Sequence, residues 1–184
     1  MIMCGIVGCF SKKNIENFSF LREMSKKIIN RGPDDYGEYI NKKIGFCFRR
    51  LSIIDLSNNS NQPIEDKRFV LVFNGEIYNY KQIKKEILEK DKNIHFNSNG
   101  DAEIILKSYS LWGKECVKKF EGMFAFAVWD KLKKTIFIAR DKFGEKPLFY
   151  TLSKNYGFVF ASEIKCFIDI PGLIRDLRID DESL

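Results

Sequence analysis

Apolar positions change their period along the chain, and the changes mark its elements. Cys4 and Gly5 open an apolar run of strand type that ends at Phe10; Phe18, Leu21, Met24 and Ile28 then recur at helical spacing. That helix should stop before Asn30-Arg31-Gly32-Pro33, since proline restricts the residue ahead of it. Two extended segments, 37–40 and 44–54, lead into a polar surface loop at 57–62. Residues 69–73 read as a strand entering a tight turn at Asn74-Gly75. A helical block follows. Tyr80–Lys90 carries Ile83, Ile87 and Leu88 on one stripe, and Asp101 opens a second amphipathic helix terminated by Gly113. A short helix through Cys116, Val117 and Phe120 closes the block.

From Gly122 the period becomes alternating: Phe124, Phe126 and Val128 face one way, Ala125, Ala127 and Trp129 the other. Residues 130–134 turn, and 135–139 pair back as a hairpin. The stretch RDKFGEKP forms a loop broken by Gly144 and Pro147, 148–151 and 158–161 pair around 155–157, and Ser162 caps a last short helix. Strands therefore bracket a helical block, and many are apolar on both sides. The fold class this implies is α+β, with two antiparallel sheets between helical layers, so that both faces of each sheet are covered.

Composition narrows the picture. A chain of 184 residues with 45% hydrophobic and 14% aromatic content suits one folded domain with a sizeable core. It has no apolar run long enough to span a membrane and no signal-peptide pattern at its start, so no membrane partner and a cytoplasmic location are expected. The five cysteines are odd in number, lack C-x-x-C spacing and have no histidine cluster beside them, which favours reduced thiols over disulfides or a metal site. The net charge of +6 comes from scattered lysines, which argues against a nucleic-acid partner. The single histidine, His95, lies between Ile94 and Phe96 and should point away from the apolar face, so a histidine-based triad would require His95 itself.

Chemistry gathers at Cys4. Without Met1, Ile2 and Met3 this residue would carry both a thiol and a free α-amino group with a pKa of about 7.7–8.0, able to take the thiol proton and return one to a leaving amine. In isolation each candidate has a plainer role. Cys4 could be a small buried hydrophobe, Asn74-Gly75 a hairpin turn, Arg50 a solvated strand-end cation and Asp101 a helix N-terminal acid.

The chain carries, in order, CGIVG at Cys4, RGPDD at Arg31, RLSIID at Arg50, NGEIYNY at Asn74, GDAEII at Gly100, GMFAFAVWD at Gly122, ARDKFGEKPLFY at Ala139 and FASEIK at Phe160. Together, from Cys4 to about Phe167, these strings resemble the glutaminase domain of glutamine-hydrolysing asparagine synthetases, a class II glutamine amidotransferase with the N-terminal-nucleophile fold. The resemblance implies a four-layer αββα sandwich, and hydrolysis of the side-chain amide of L-glutamine to glutamate and ammonia through a thioester on Cys4. It implies an oxyanion hole from the Asn74 side chain and the Gly75 N–H. Arg50 would hold the substrate α-carboxylate, Leu51, Ser52, Ile53 and Ile54 would line the adjoining pocket, and Glu76 with Asp101 would hold the α-ammonium.

The glutaminase step needs no cofactor by this resemblance; ATP and Mg belong to a synthetase domain. The 184 residues read as a single type 2 glutamine amidotransferase domain and lack the Ser-Gly-Gly-x-Asp-Ser phosphate loop of that second domain. Ammonia acceptance would fall to a synthetase domain or subunit outside them. Met3 as initiator, or cleavage before Cys4, is the expected route to a terminal nucleophile. Asn30 departs from the histidine that many relatives have there, and RGPDD and RDKFGEKP are expected to be scaffold. Two other classes compete: a catalytically silent domain kept for partner contact, and an N-terminal-nucleophile acylase or peptidase, which should lack the Arg50 and Asp101 pair.

Overall fold

The computed structural model describes residues 4–51, 61–98, 100–168 and 170–173. Nine strands among them form two antiparallel sheets. In the first, β1 (Gly5–Phe10) lies centrally between β3 (Ile44–Arg50) and β9 (Gly157–Ala161), with β2 (Asp35–Asn41) and β8 (Phe149–Ser153) at the edges. The second runs β4 (Ile64–Glu65), β5 (Phe69–Ile77), β6 (Gly122–Asp130), β7 (Thr135–Arg140). Helix α1 (Ser19–Lys26) covers the outer face of the first sheet; α2 (Tyr80–Lys90) and α3 (Asp101–Trp112) cover that of the second.

Strand alternation sorts side chains among three cores. Val7 and Cys9 point outward to Leu21, Met24 and Ile28. Ile6 points inward to Phe46, Val72, Trp129 and Phe160, with Cys4 packed against the same inter-sheet layer. On β5, Phe69, Leu71, Phe73 and Ile77 meet the helices, while Val70 and Val72 face the inter-sheet core. By the same two-residue period Asn74 and Glu76 fall on that inner face. The order is helix, sheet, sheet, helix, as the motifs implied.

The expected turn at Asn74-Gly75 does not occur. β5 continues through both residues to Ile77, with Asn74 opposite Ala125 and Gly75 opposite Phe124. Gly75 has φ +156, and a Cβ there would lie 2.2 Å from the Met123 carbonyl oxygen, so glycine lets the two strands close where another residue would force them apart. β3 runs from Ile44 to Arg50, and the rest of the expected extended segment, from residue 52 to 54, lies with residues 55–60 outside the described residues. Ser162 does not cap the last turn: its buried hydroxyl accepts the Ile6 N–H at 2.9 Å, tying β9 to the strand that follows Cys4.

Two loops are placed firmly beside the head of β1. A Cβ on Gly32 would lie 2.4 Å from the Arg49 backbone, a close approach that seats the loop carrying Arg31 against the end of β3. The RDKFGEKP loop is organised by Asp141, whose carboxylate accepts N–H bonds from Phe124 (3.2 Å), Phe143 (3.1 Å), Glu145 (2.9 Å) and Lys146 (3.0 Å). Burial alone would raise the Asp141 pKa, but these donors outweigh it and hold the carboxyl below its usual range. Arg140 grips the same loop through the carbonyls of Gly144 and Lys146.

Candidate active site

Cys4 sits just ahead of β1, half-buried, over the end of β3. Its sulfur accepts the Leu51 N–H at 3.3 Å and its thiol faces the Leu51 carbonyl at 3.6 Å. Arg31 donates from Nε to the Cys4 carbonyl at 3.0 Å and from Nη1 to Glu163 at 3.1 Å, which fixes the backbone of the nucleophile candidate from outside its own strand. Burial pushes the Cys4 thiol up from its ordinary value; the Leu51 N–H and the charges of Arg50 and Arg31 pull it back.

The other four thiols are inert by comparison. Cys9, Cys47, Cys116 and Cys166 are fully buried, and burial pushes them up to about 12, 11, 12 and 12. All five cysteines are free, as their spacing indicated. Cys4 alone combines accessibility with flanking positive charge.

Across the inter-sheet layer, Asn74 is 2% exposed and its Nδ2 has no hydrogen-bond partner among the described residues. A buried donor left unpaired costs on the order of 1–3 kcal/mol. Such a group calls for a physical explanation, and its amide leaves a donor open to an acceptor.

Glu76 and Asp101 lie together at the C-terminal end of β5. Asp101 is the first residue of α3, and its Oδ2 also accepts the Ile77 N–H at 2.9 Å, so it serves the helix terminus and reaches β5 as well. Burial raises its pKa, the N–H groups of Ile77, Asp101 and Ala102 oppose this, and the Glu76 charge adds to the rise. Two carboxylates that repel each other in a half-buried site are poised for a cation.

Arg50 is 7% exposed and donates to the Asn61 side-chain oxygen. The structure therefore brings Cys4, Arg50 and Leu51 to one edge, and Asn74, Gly75, Glu76 and Asp101 to the facing one; Ser52, Ile53 and Ile54 lie outside the described residues. His95 is exposed in a loop.

Sequence reasoning passed over Arg31, Glu163 and Lys146. Their strings, RGPDD, FASEIK and RDKFGEKP, were visible, yet nothing in their spacing says that Arg31 reaches the Cys4 carbonyl with Glu163 behind it, or that Lys146 is buried.

A cysteine heading the inner strand of an αββα sandwich, with its neighbours drawn from both sheets, is the layout of the N-terminal-nucleophile hydrolases. A family model of the glutamine amidotransferase domain matches residues 3–184, and the chain belongs to that family. It is 39% identical over 188 residues to asparagine synthetase [glutamine-hydrolyzing] 1 of Bacillus subtilis (strain 168), covering 99% of this chain and 29% of that protein. Asparagine synthetase [glutamine-hydrolyzing] 2 of the same organism is 43% identical over 182 residues, covering 96% and 24%. The chain thus spans less than a third of the length of these relatives. Among solved structures, glutamine phosphoribosylpyrophosphate amidotransferase of B. subtilis, in complex with ADP and GMP, shares the fold with a TM-score of 0.71 at 17% identity, covering 89% of this chain and 43% of that one. No helix among the described residues is long and apolar enough to cross a membrane.

Proposed function

We propose that residues 1–184 act as one glutaminase unit that hydrolyses the side-chain amide of glutamine and hands the ammonia to a synthetase domain or subunit. The observation that carries this reading is the buried, unpartnered Nδ2 of Asn74 on the face that Cys4 also occupies. In the reaction, the Cys4 thiolate attacks the γ-carbonyl carbon. The carbonyl oxygen takes up the charge and accepts hydrogen bonds from Asn74 Nδ2 and the Gly75 N–H. Collapse breaks the C–N bond, and the α-ammonium of a terminal Cys4 protonates the departing ammonia. Water, deprotonated by the same amine, then cleaves the thioester to glutamate.

Arg50 receives the α-carboxylate beside Leu51, and Glu76 with Asp101 receive the α-ammonium. The names of the relatives make asparagine the first candidate for the final product, with ATP and Mg serving that second step outside these residues. Five free thiols fit a reducing cytoplasm.

The decisive assay follows ammonia and glutamate from glutamine and from simple acyl amides, using a chain that begins at Cys4 and its Cys4→Ala variant. Glutamine-specific release that vanishes in Cys4→Ala supports the reading. Equal release from simple amides points to an acylase or peptidase, and a folded but silent protein points to a partner-contact module.

The zwitterion site yields two further expectations. Arg50→Lys keeps the charge but loses the planar two-bond fork, so KM for glutamine should rise about tenfold or more, and equal kcat/KM in the two proteins would reject the assignment. Asp101→Asn should also raise KM by removing a counter-charge. A fall in melting temperature with KM intact would confine Asp101 to the helix terminus and the Ile77 bond.

A further inference from the structure

Lysines that look scattered in the sequence are gathered by the fold. The strings SKKN, NKKI, DKRF and DKLKKT place basic residues in the turn after β1 and in the β2–β3, β4–β5 and β6–β7 turns. All four lie at one end of the molecule, because β1 runs away from Cys4 and the antiparallel register turns each neighbour at that end. Backbone bonds tie the turns together: Ser11 N–H to the Lys43 carbonyl at 2.8 Å and Ile15 N–H to the Lys42 carbonyl at 2.7 Å in the first sheet, Lys131 N–H to the Arg68 carbonyl at 2.8 Å in the second. Phe10 at the end of β1 and Trp129 near the end of β6 have ring centroids 5.6 Å apart, which joins the two sets. The six residues of β1, about 20 Å, separate this end from Cys4.

The β8–β9 turn at the same end adds Lys154. Together the segments 11–18, 41–43, 65–68, 130–134 and 153–156 hold ten Lys or Arg against four Asp or Glu, an excess equal to the +6 of the whole chain. The remaining charges of the chain cancel. Two of the four acids are paired in place, Asp130 with Arg68 at 2.8 Å and Glu65 with Lys131 at 2.9 Å. Lys12, Lys13, Lys42, Lys43, Lys133 and Lys134 make no ion pair among the described residues, and all but the half-buried Lys43 are exposed. Between Lys131 and Lys133, at the tip of the β6–β7 turn, Leu132 is 74% exposed.

The side chains at this end select among polyanions. Arg68, the guanidinium of these turns, is committed to Asp130 through Nε and Nη2, so its planar fork is not left for a phosphate or a base edge. Phe10 and Trp129 pack on each other between the sheets and Tyr156 stacks on Phe20 at 4.0 Å, so these rings offer no platform for unpaired bases. Lysines are hydrated point charges that suit a diffuse anionic surface, and an exposed leucine among them suits an interface with apolar depth beneath its charge. We propose that this end is a peripheral membrane-contact surface: the lysine turns lie on a bilayer rich in acidic phospholipid, Leu132 enters the headgroup boundary, and the Cys4 edge faces away from the lipid. Such contact needs no spanning helix and is independent of glutamine hydrolysis.

The test is co-sedimentation of the full chain with phosphatidylcholine vesicles, with and without phosphatidylglycerol. The chain should bind the anionic vesicles at about 0.01 M salt, release them near 1 M, where the screening length falls from about 30 to about 3 Å, and ignore pure phosphatidylcholine. Changing Lys42, Lys43, Lys133 and Lys134 together to Glu should weaken binding about tenfold or more, and Leu132→Ser about threefold. The same charge change at the other end, with Lys26, Lys81, Lys85 and Lys142 made Glu, should cost far less. Circular dichroism reports folding; should the first quadruple variant unfold, Lys42→Glu/Lys43→Glu and Lys133→Glu/Lys134→Glu take its place. No binding of the parent to anionic vesicles at low salt, or equal losses from the two ends, would overturn the proposal. So would retention on duplex DNA or on polyglutamate without vesicle binding, which would assign the surface to nucleic acid or to an acidic protein.

Discussion

A chain whose first residue is Cys4 should release ammonia from glutamine, and the same chain retaining Met1-Ile2-Met3 should be silent. An amide-linked nitrogen is not basic, so a Cys4 inside a peptide bond has no proton acceptor of its own. Its thiol, which burial already pushes up, would then be almost wholly protonated near neutral pH. Among the described residues the single histidine, His95, is exposed in a loop and makes no hydrogen bond or ion pair with Cys4. The Arg31 bond holds the Cys4 carbonyl, so loss of Met1-Ile2-Met3 would change only the nitrogen side of the residue. Intact mass with an ammonia assay checks the expectation: rates that track the fraction of chains beginning at Cys4 support the amine as base. Full activity from chains shown to keep all three residues would refute it.

Asn74→Ala should lower kcat by about 10²–10³-fold with little change in KM, because the Nδ2 donor meets its acceptor only as the oxyanion forms. The ground state supports this division. Nδ2 is buried without a partner in the free protein, so its truncation removes no described hydrogen bond from that atom. Stability should therefore change far less than activity. Asn74→Asp, similar in size, should lose at least as much rate, since it faces the developing negative charge with an acceptor. A pure KM effect in steady-state kinetics would move Asn74 to ground-state binding.

Legibility differed from residue to residue for physical reasons. Strand and helix periods follow from which face each element buries, so the αββα order and the α3 terminator at Gly113, with φ +57, could be read from local pattern. The Asn74-Gly75 turn could not. The dipeptide has the chemistry of a hairpin, and only the pairing with β6, close enough to touch the Met123 carbonyl, keeps the chain extended there. Ser162 likewise looked like a cap because the helix it precedes is local, whereas its real partner, Ile6, is distant in sequence.

The site divides in the same way. Cys4, Arg50, Asn74, Gly75, Glu76 and Asp101 were named through the resemblance carried by eight strings in order, since residue type by itself left each of them a plainer role. Tertiary structure alone decided that Arg31 grips the Cys4 carbonyl, that Asp101 also bonds Ile77, and that Asp141 folds a loop to carry Lys146 inward. The sequence by itself determined the layers and offered the candidate groups, because burial pattern and functional-group chemistry belong to individual residues. Their convergence depended on the packing of two sheets, because contacts between residues far apart along the chain leave no local period to read.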